Sequence, residues 1–495
     1  MSPIGTVLIA NRGEIAVRIL RTCRRLGKRA VIAYHADDRD SLAVSMADAS
    51  MRVEGPSPVA AYLSVDNVIR ACRELGADAV HPGFGFLSEN PELPRRLADE
   101  RLRFIGPGAE AIAAMGDKIR AKRLAQRAGL VTIAGFDGEI QSAAHALEAS
   151  RAIGFPVILK ASAGGGGKGM RVVHADDAEA MRAAFERTSA EAAAAFGDSR
   201  VFVEKYIDQP RHIEIQVLGD LHGNIVHLGE RECSIQRRHQ KILEEAPSPA
   251  VDAAMRAAMG AQAVALARAV GYASAGTVEF VVDGAGHFHF LEMNTRIQVE
   301  HPITEMITGL DIVEQQIRIA EGERLGFTQH DIALRGHAIE CRLCAEDAAR
   351  GFAPASGRLA MFRIPELPGL RFDTGVREGD AVGTSFDSML GKLIVHGASR
   401  EEAIARMRAA LSQAVVLGVT TNADYLERLL AHPQFAEGCT TTHFLDLYAD
   451  ELAAPAPSSQ EEAAALAAAL FTNRTFADER FAPPEIPAGI GAWRP

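Results

Sequence analysis

Short apolar stretches alternate with longer amphipathic ones through the first part of the chain. Strand-like stretches lie at residues 7–10, 29–34, 77–81 and 103–105, and a helical pattern lies at 14–26. Strands that alternate with helices pair in parallel, because each helix returns the chain to the same edge of the sheet. Residues 1–115 are therefore predicted to form an open, mostly parallel α/β sheet.

Two alternating stretches further along the chain carry oxygen-rich side chains. Glu279 lies in the first stretch, Glu292 and Asn294 lie in the second, and Asp-Gly-Ala-Gly at 283–286 between them indicates a turn. This pattern predicts a β-hairpin in which two carboxylates and an amide approach one another.

The register of this hairpin decides whether the acids meet. Pairing Val282 with His287 would place Glu279, Glu292 and Asn294 on one face of the hairpin, because residues two apart on a strand share a face. A slip of one residue would separate the two acids. Oxygen ligands on one face suit Mg²⁺ with nucleotide phosphates. The alternative is a half-solvated hairpin with scattered acids.

A glycine-rich segment follows an apolar strand-like stretch at residues 155–160. The strand ends at Lys160, four glycines occupy 164–167, and Lys168 follows. Backbone N–H groups of consecutive glycines can approach an anion without obstruction by Cβ atoms, and lysines add charge for phosphate oxygens. We interpret the segment as a flap over phosphates. A glycine turn between strands is the alternative.

A basic segment lies at residues 230–241 and includes Arg237, Arg238, His239 and Lys241. The whole chain has a net charge of −11, which disfavours a nucleic acid as partner. A small anionic substrate held by a few cations is the better interpretation.

The remaining third of the chain has mixed patterns. A strand-like stretch at 389–395 precedes a helical pattern at 400–417, which predicts a mixed α/β domain over 335–447. Residues 448–495 read as a linker and a helical tail. The sequence contains no apolar run of membrane-spanning length, and it enters a strand at residue 6. We therefore expect a cytoplasmic protein without a membrane segment.

The motifs together resemble the biotin carboxylases of the ATP-grasp superfamily. The matching strings are IANRGEI (9–15), HPGFGFLSEN (81–90), MGDK (115–118), the glycine-rich segment, EKYI (204–207), QRRHQK (236–241), EMNTRIQVEH (292–301) and ECR (340–342). They occur in the family's order and at similar spacings.

The resemblance implies an α/β (α+β ATP-grasp) fold and a reaction. The implied domains are an N-terminal domain (1–115), an ATP-grasp domain (116–330) with a mobile lid at about 133–205, and a C-terminal domain (335–447), followed by the 448–495 tail. ATP and bicarbonate would give carboxyphosphate, which carboxylates N1 of biotin. The implied cofactors are ATP, Mg²⁺ or Mn²⁺, and biotin on a carrier.

The resemblance also implies roles for residues. ATP would be held by Lys118, Lys160, Gly166, Gly167, Glu204, Lys205, Tyr206, Ile207, His212 and His239. Bicarbonate would be held by Lys241, Arg296, Gln298 and the Val299 backbone. Glu300 would take the bicarbonate proton, and Arg342 would stabilise the biotin enolate. The metal ion would be held by Glu279 and Glu292, with Asn294 nearby.

The sequence contains no biotin-attachment motif. Biotin would therefore arrive on a carrier protein or domain, and a carboxyltransferase would use the product. We favour the α subunit of an acyl-CoA carboxylase over a free-standing subunit of acetyl-CoA carboxylase, with a homodimer or larger hetero-oligomer expected. Another ATP-grasp carboxylate ligase and a catalytically silent scaffold subunit are the alternatives.

Overall fold

The computed structural model describes residues 3–162, 169–454 and 459–472. Of these, the residues up to Leu452 form one compact unit, and those from Ala453 onward belong to a second.

The N-terminal part contains a parallel sheet in the order β3-β2-β1-β4-β5. Its strands are β1 (Thr6–Ile9), β2 (Arg29–Tyr34), β3 (Ala49–Arg52), β4 (Ala79–His81) and β5 (Arg103–Phe104). Its helices are α1 (Gly13–Arg25), α2 (Leu42–Met46), α3 (Pro58–Tyr62), α4 (Val65–Leu75), α5 (Glu92–Asp99) and α6 (Ala109–Gly116). The apolar residues of β1 are buried. The parallel α/β sheet predicted from the sequence is confirmed.

The central part builds two further sheets. Its helices are α7 (Lys118–Arg127), α8 (Ala143–Ile153), α9 (Ala178–Phe196), α10 (Ala253–Ala269), α11 (His301–Thr308) and α12 (Ile312–Ala320). Its strands are β6 (Val157–Ala161), β7 (Met170–Val173), β8 (Val201–Lys205), β9 (Arg211–Gly219), β10 (Ile225–Arg237), β11 (Gln240–Ala246), β12 (Ser274–Val282) and β13 (Phe288–Asn294). Strands β7-β6-β8 form a small antiparallel sheet with α8 and α9 against it. This subdomain falls within the predicted lid.

The C-terminal part continues the larger sheet. Its strands are β14 (His337–Cys344), β15 (Glu346–Asp347), β16 (Ala353–Pro354), β17 (Gly357–Arg358), β18 (Met361–Arg363), β19 (Leu370–Thr374), β20 (Ala381–Val382), β21 (Met389–Gly397) and β22 (Val415–Leu417). Its helices are α13 (Arg400–Gln413), α14 (Ala423–Ala431), α15 (Pro433–Ala436), α16 (Phe444–Leu447) and α17 (Ala449–Leu452).

The larger antiparallel sheet has the order β13-β12-β9-β10-β11-β14-β21-β19. Strand β11 pairs with β14, so one sheet runs from the central part into the C-terminal part. This continuity brings residues from both parts onto neighbouring strands.

One predicted element is wrong in part. The helical pattern over 400–417 ends at Gln413, and Val415–Leu417 instead form strand β22 against Met361–Arg363. Two adjacent β-branched valines favour the strand, and pairing with β18 supplies the hydrogen bonds that a helix would otherwise provide.

The second unit contains helix α18 (Ser459–Thr472). Across the residues that the structure describes, we find no helix whose length and apolar character would let it cross a bilayer.

Candidate active site

The β12–β13 hairpin has a different register from the predicted one. Val282 pairs with Phe288 rather than His287, and Leu291 bulges out, so that Glu279 lies directly opposite Glu292. The prediction was wrong because a turn signal fixes neither the loop length nor a bulge. The longer loop by itself would turn Glu279 and Glu292 to opposite faces of the hairpin. The bulge adds one residue to β13 and returns both acids to the same face.

Four side chains lie within 3.2 Å of the Glu279 carboxylate. It accepts hydrogen bonds from Asn294 Nδ2 at 2.9 Å, Gln298 Nε2 at 3.2 Å and Lys241 Nζ at 3.1 Å. His212 Nε2 lies 2.9 Å from its other oxygen. Burial opposes the charge, but Lys241 and His212 outweigh it and hold the pKa of Glu279 well below its usual range. The carboxylate is therefore ionised.

Glu292 completes a donor set that fits a hard divalent cation. Its carboxylate contacts the Lys118 ammonium at 2.8 Å, so the positive charge of a lysine already lies beside it. Carboxylate oxygens on opposed strands, with the Asn294 amide two residues along from Glu292, match the oxygen ligands that Mg²⁺ and Mn²⁺ take. Glu279, Glu292 and Asn294 could therefore hold such an ion.

Lys241 lies among three acids. Its ammonium contacts Glu214 at 2.6 Å, Glu300 at 2.7 Å and Glu279 at 3.1 Å. Glu214 was missed by the sequence reasoning. The available signal was the pair of polar residues Glu214 and Gln216, which alternate with the buried apolar residues Ile213, Ile215 and Val217 in strand β9.

A fully buried arginine supports this cluster. Arg231 Nε donates to Glu214 at 2.6 Å, its Nη1 donates to Gln216 at 2.7 Å and to Thr304 at 2.9 Å, and its Nη2 donates to Thr277 at 3.1 Å. Glu214 and Gln216 lie on β9, whereas Thr277 and Thr304 lie on β12 and α11, so no single local motif could have revealed the set. Arg231 holds Glu214 in place beside Lys241.

Glu300 receives two cations. Lys241 contacts one of its oxygens, and Arg342 Nη2 donates to the other at 3.0 Å. Burial favours the neutral acid, yet Lys241, Arg342 and Arg231 together hold the pKa of Glu300 well below its usual range. An ionised, buried carboxylate between two cations can act as a base toward a bound acid.

Arg342 is itself fixed by a second acid. Its Nε donates to Glu244 Oε1 at 2.8 Å, and its Nη2 contacts the same oxygen. Burial raises the pKa of Glu244 to about 7, although Arg342 opposes that shift. Glu244 was also missed, because it precedes the ECR string by nearly a hundred residues and meets it only through the β11–β14 pairing.

Arg296 is oriented from both sides. Its Nε donates to Glu89 at 3.0 Å, its Nη2 donates to Asn294 Oδ1 at 3.0 Å, and its Nη1 donates to Gln298 Oε1 at 3.2 Å. Glu89 also accepts from the backbone N–H of Thr295 at 3.0 Å. It lies in the FGFLSEN string, but its role was not predicted. The N-terminal part thus orients a guanidinium of the central part.

The lysines predicted to hold phosphates lie beside strand β13 of the hairpin. Lys160 and Lys122 both contact Glu204, at 2.9 and 2.6 Å, and Lys118 lines the same narrow cleft. Burial opposes the charge on Glu204, but the two lysines lower its pKa. Lys122 was not predicted. Gly166 and Gly167, the remaining predicted phosphate contacts, lie outside the described residues together with Lys168.

The predicted hinge, residues 204–207, joins the small sheet to the larger one. Lys205 Nζ donates to the carbonyls of residues 154–155 at 3.0 and 2.8 Å, so its charge is turned toward the subdomain backbone. The Tyr206 hydroxyl lies 3.2 Å from His443 Nε2, and Ile207 is half-buried. The side chains of Lys205 and Tyr206 thus link this segment to the small-sheet subdomain and to the C-terminal part.

Two histidines were expected near the ribose. His212 lies between Glu279 and Gln236, whose Nε2 is 2.7 Å from His212 Nδ1. His239 is more open, and burial together with His443 and Lys160 lowers its pKa. The structure places His212 against the Glu279 carboxylate, whereas His239 is exposed.

Family models match nearly the whole first unit. The model for the biotin carboxylase N-terminal domain matches residues 3–112, and the model for the carbamoyl-phosphate synthase L chain ATP-binding domain matches 117–328. The biotin carboxylase C-terminal domain model matches 340–447.

Curated relatives agree with these models. The chain is 53% identical to the propionyl-CoA carboxylase alpha chain, mitochondrial, of Homo sapiens over 449 residues, which covers 90% of this chain and 61% of that protein. It thus spans less than two thirds of that relative. The biotin carboxylase of Nostoc sp. is 48% identical, with 89% of this chain and 98% of that protein covered.

Solved structures share the fold. The biotin carboxylase domain dimer of Hydrogenobacter thermophilus 2-oxoglutarate carboxylase, in complex with MgADP, ADP and bicarbonate, superposes with a TM-score of 0.89 at 43% identity, covering 92% of this chain and 100% of that one. The biotin carboxylase β-γ-ATP complex of Campylobacter jejuni gives a TM-score of 0.87 at 44% identity, with 90% and 99% covered. The convergence of cations and acids around Glu300, the three matched domains and these relatives lead to one conclusion: the chain belongs to the biotin carboxylase family.

Proposed function

We propose that this chain carboxylates biotin on a carrier, using ATP and bicarbonate. The observation that carries the proposal is the position of Glu300, which lies buried between Lys241 at 2.7 Å and Arg342 at 3.0 Å. A base between two cations suits a reaction whose first substrate is a weakly acidic anion and whose second forms an enolate.

In the first step, bicarbonate would bind to Lys241, Arg296, Gln298 and the Val299 backbone N–H. The cations offset its charge and fix it for attack. The Glu300 carboxylate takes the bicarbonate proton, and a bicarbonate oxygen forms a bond to the γ-phosphorus while the bond to ADP breaks. The products are carboxyphosphate and ADP. The low pKa of Glu300 ensures that the base is ionised when bicarbonate arrives.

In the second step, the carboxyl group passes from carboxyphosphate to N1 of biotin, and phosphate leaves. The leaving phosphate takes the N1 proton, and the negative charge that this leaves on biotin is shared by its carbonyl oxygen. Arg342 would hold that oxygen, because a guanidinium keeps its charge at any relevant pH. Glu244 fixes the orientation of Arg342 through hydrogen bonds to its Nε and Nη2.

ATP would occupy the cleft lined by Lys118 and Lys160. We propose that these lysines, with the Gly166 and Gly167 backbone, hold its phosphates. Glu204, Lys205, Tyr206 and Ile207 would face the adenine, and His212 and His239 the ribose. Two solved relatives are complexes with adenine nucleotides, which supports this assignment.

Glu279, Glu292 and Asn294 would hold Mg²⁺ or Mn²⁺. The bound ion would offset negative charge on the phosphate oxygens. Lys118 would then exchange its contact with Glu292 for a phosphate oxygen.

The partners would be a biotin carrier and a carboxyltransferase. The similarity to propionyl-CoA carboxylase alpha chains supports an acyl-CoA carboxylase α subunit. The high coverage of the Nostoc biotin carboxylase supports a free-standing subunit as the second candidate. A homodimer is proposed from the dimeric domain of Hydrogenobacter thermophilus.

We propose the domain division 1–115, 116–330 with a mobile lid at about 133–205, and 335–447. The residues matched by the three family models lie close to these bounds, which supports the division. The cytoplasmic location stays a prediction.

The test is bicarbonate-dependent ADP release from MgATP, with and without free biotin, in the wild type and in Glu300→Gln. Biotin-stimulated turnover that the variant loses would support the proposal. Bicarbonate-dependent turnover that ignores both biotin and an added biotinylated carrier would favour another ATP-grasp ligase. Absence of MgATP binding by calorimetry would favour a silent scaffold.

A further inference from the structure

Two buried side chains hold the backbone of the segment that would bind bicarbonate. His301 Nδ1 lies 2.7 Å from the carbonyl oxygen of Gln298, and Lys392 Nζ donates to the carbonyl oxygen of Val299 at 2.6 Å. Each carbonyl shares a rigid peptide plane with the next residue's N–H. The contact at Gln298 thus orients the Val299 N–H, and the contact at Val299 orients the backbone of Glu300.

Lys392 reaches this position from the larger sheet. It lies on β21, directly opposite Arg342 on β14 and Asp373 on β19, and its side chain is fully buried. It therefore stands beside the arginine proposed for biotin while contacting the segment proposed for bicarbonate. Sequence patterns gave no reason to single it out.

Charge compensation alone does not explain this lysine. Glu14 on α1 lies 3.2 Å from its ammonium, and Glu340 is fully buried near it. Within residues 3–162 and 169–454, neither carboxylate accepts a well-aligned hydrogen bond. Lys392 instead donates its well-aligned hydrogen bond to the Val299 carbonyl oxygen. Burying an ammonium is costly, and here the buried group holds one backbone carbonyl of the site.

We propose that Lys392 is a positioning residue for bicarbonate activation, holding the Val299–Glu300 peptide so that the Glu300 carboxylate faces the anion bound at the Val299 N–H. Glu14 is the acidic partner of its ammonium from the N-terminal part. The inference rests on the proposed function, since the bicarbonate site belongs to it. It adds a residue that touches no substrate and acts through the backbone.

The decisive comparison is Lys392→Met/Glu14→Gln against Glu14→Gln alone. Both proteins carry the substitution at position 14 and differ only at position 392, so the loss of the ammonium leaves no unpaired carboxylate at position 14. Arg400→Gln is a matched stability control, because Arg400 also pairs with a buried acid and donates to backbone carbonyls, those of Phe435 and Ala436, both at 2.7 Å. Should the methionine variant not fold, Lys392→Gln in the same background keeps a shorter neutral donor.

We expect the bicarbonate KM of the double variant to rise about tenfold over that of Glu14→Gln and its kcat to fall, because the base and the anion lose alignment. Binding of a fluorescent ATP analogue should change by less than about twofold, since the ATP-binding lysines do not contact Lys392. Faster hydrogen exchange at the Glu300 amide would report the freed peptide directly.

An unchanged bicarbonate KM in a folded double variant would overturn the inference. So would a parallel rise in the KM values for bicarbonate and MgATP matching that of Arg400→Gln, because this is the pattern of general destabilisation. If the wild type itself shows no bicarbonate-dependent ADP release, even with a biotinylated carrier, the proposed function fails and this inference fails with it.

Discussion

The ammonium nitrogen of Lys241 lies 2.7 Å from a carboxylate oxygen of Glu300, which is fully buried. The two groups come from β11 and from the loop before α11, and only the larger sheet brings them together. The contact stabilises the charged form of each group: it helps to lower the pKa of Glu300 and to raise the pKa of Lys241. The proposed base and its electrostatic partner are thus already paired in the folded chain.

Replacing Glu300 by Gln should abolish bicarbonate-dependent ADP release while leaving MgATP binding intact. The amide keeps the shape of the side chain but cannot take a proton, so we expect kcat to fall at least about a hundredfold. Calorimetry should give an MgATP affinity within a few fold of the wild type. A variant that loses nucleotide binding as well would show that Glu300 acts on the fold of the site instead.

Replacing Arg342 by Met should uncouple ATP cleavage from biotin. Without a fixed cation the biotin enolate is not stabilised, and we expect biotin carboxylation to fall about a hundredfold or more. ADP release in the absence of biotin should fall less. The control is Arg342→Lys, which keeps the positive charge but loses the planar guanidinium whose nitrogens reach both Glu244 and Glu300. Equal loss of both activities would contradict the assignment.

Two lysines that contact the same acid offer a matched pair. Lys160 and Lys122 both contact Glu204, but only Lys160 lies on β6, the strand that leads into the glycine-rich segment. We expect Lys160→Met to weaken MgATP binding by about thirtyfold and Lys122→Met by no more than about threefold. Fluorescence titration with a nucleotide analogue measures both. Equal losses would mean that Glu204, rather than the phosphate, determines the role of Lys160.

Stability should depend on pH through Glu14. Burial raises its pKa to about 7 from the usual 4.5, although Lys392 opposes the shift. Between these values the folded protein retains the proton that the unfolded chain has lost, so the free energy of unfolding falls as the pH rises, by up to about 3 kcal/mol. Glu14→Gln lacks this group and should lack this part of the slope.

The measurement is the melting temperature of both proteins between about pH 5 and pH 8. The wild type should lose stability relative to Glu14→Gln as the pH approaches 7 and then change little. A constant difference across this range would show that Glu14 keeps its charge throughout, held by Lys392.

Much of this protein could be predicted from its sequence. The βα alternation before residue 115 determined a parallel sheet, because strand and helix periodicities are local properties. The EMNTRIQVEH string and its companions identified the family. Residues with local signals, such as the glycine-rich segment and the acids at 279 and 292, could be named from the sequence alone.

Tertiary structure decided which of these groups meet and what holds them. The bulge at Leu291 put Glu292 directly opposite Glu279, and a bulge depends on pairing partners rather than on a sequence pattern. The β11–β14 pairing brought Glu244 to Arg342, and packing of the loop between β4 and α5 against the segment after β13 brought Glu89 to Arg296. The partners of these acids have no signal in the local sequence. Their roles arise only from the neighbours that burial and long-range packing bring to them, which the sequence does not specify until the chain is folded.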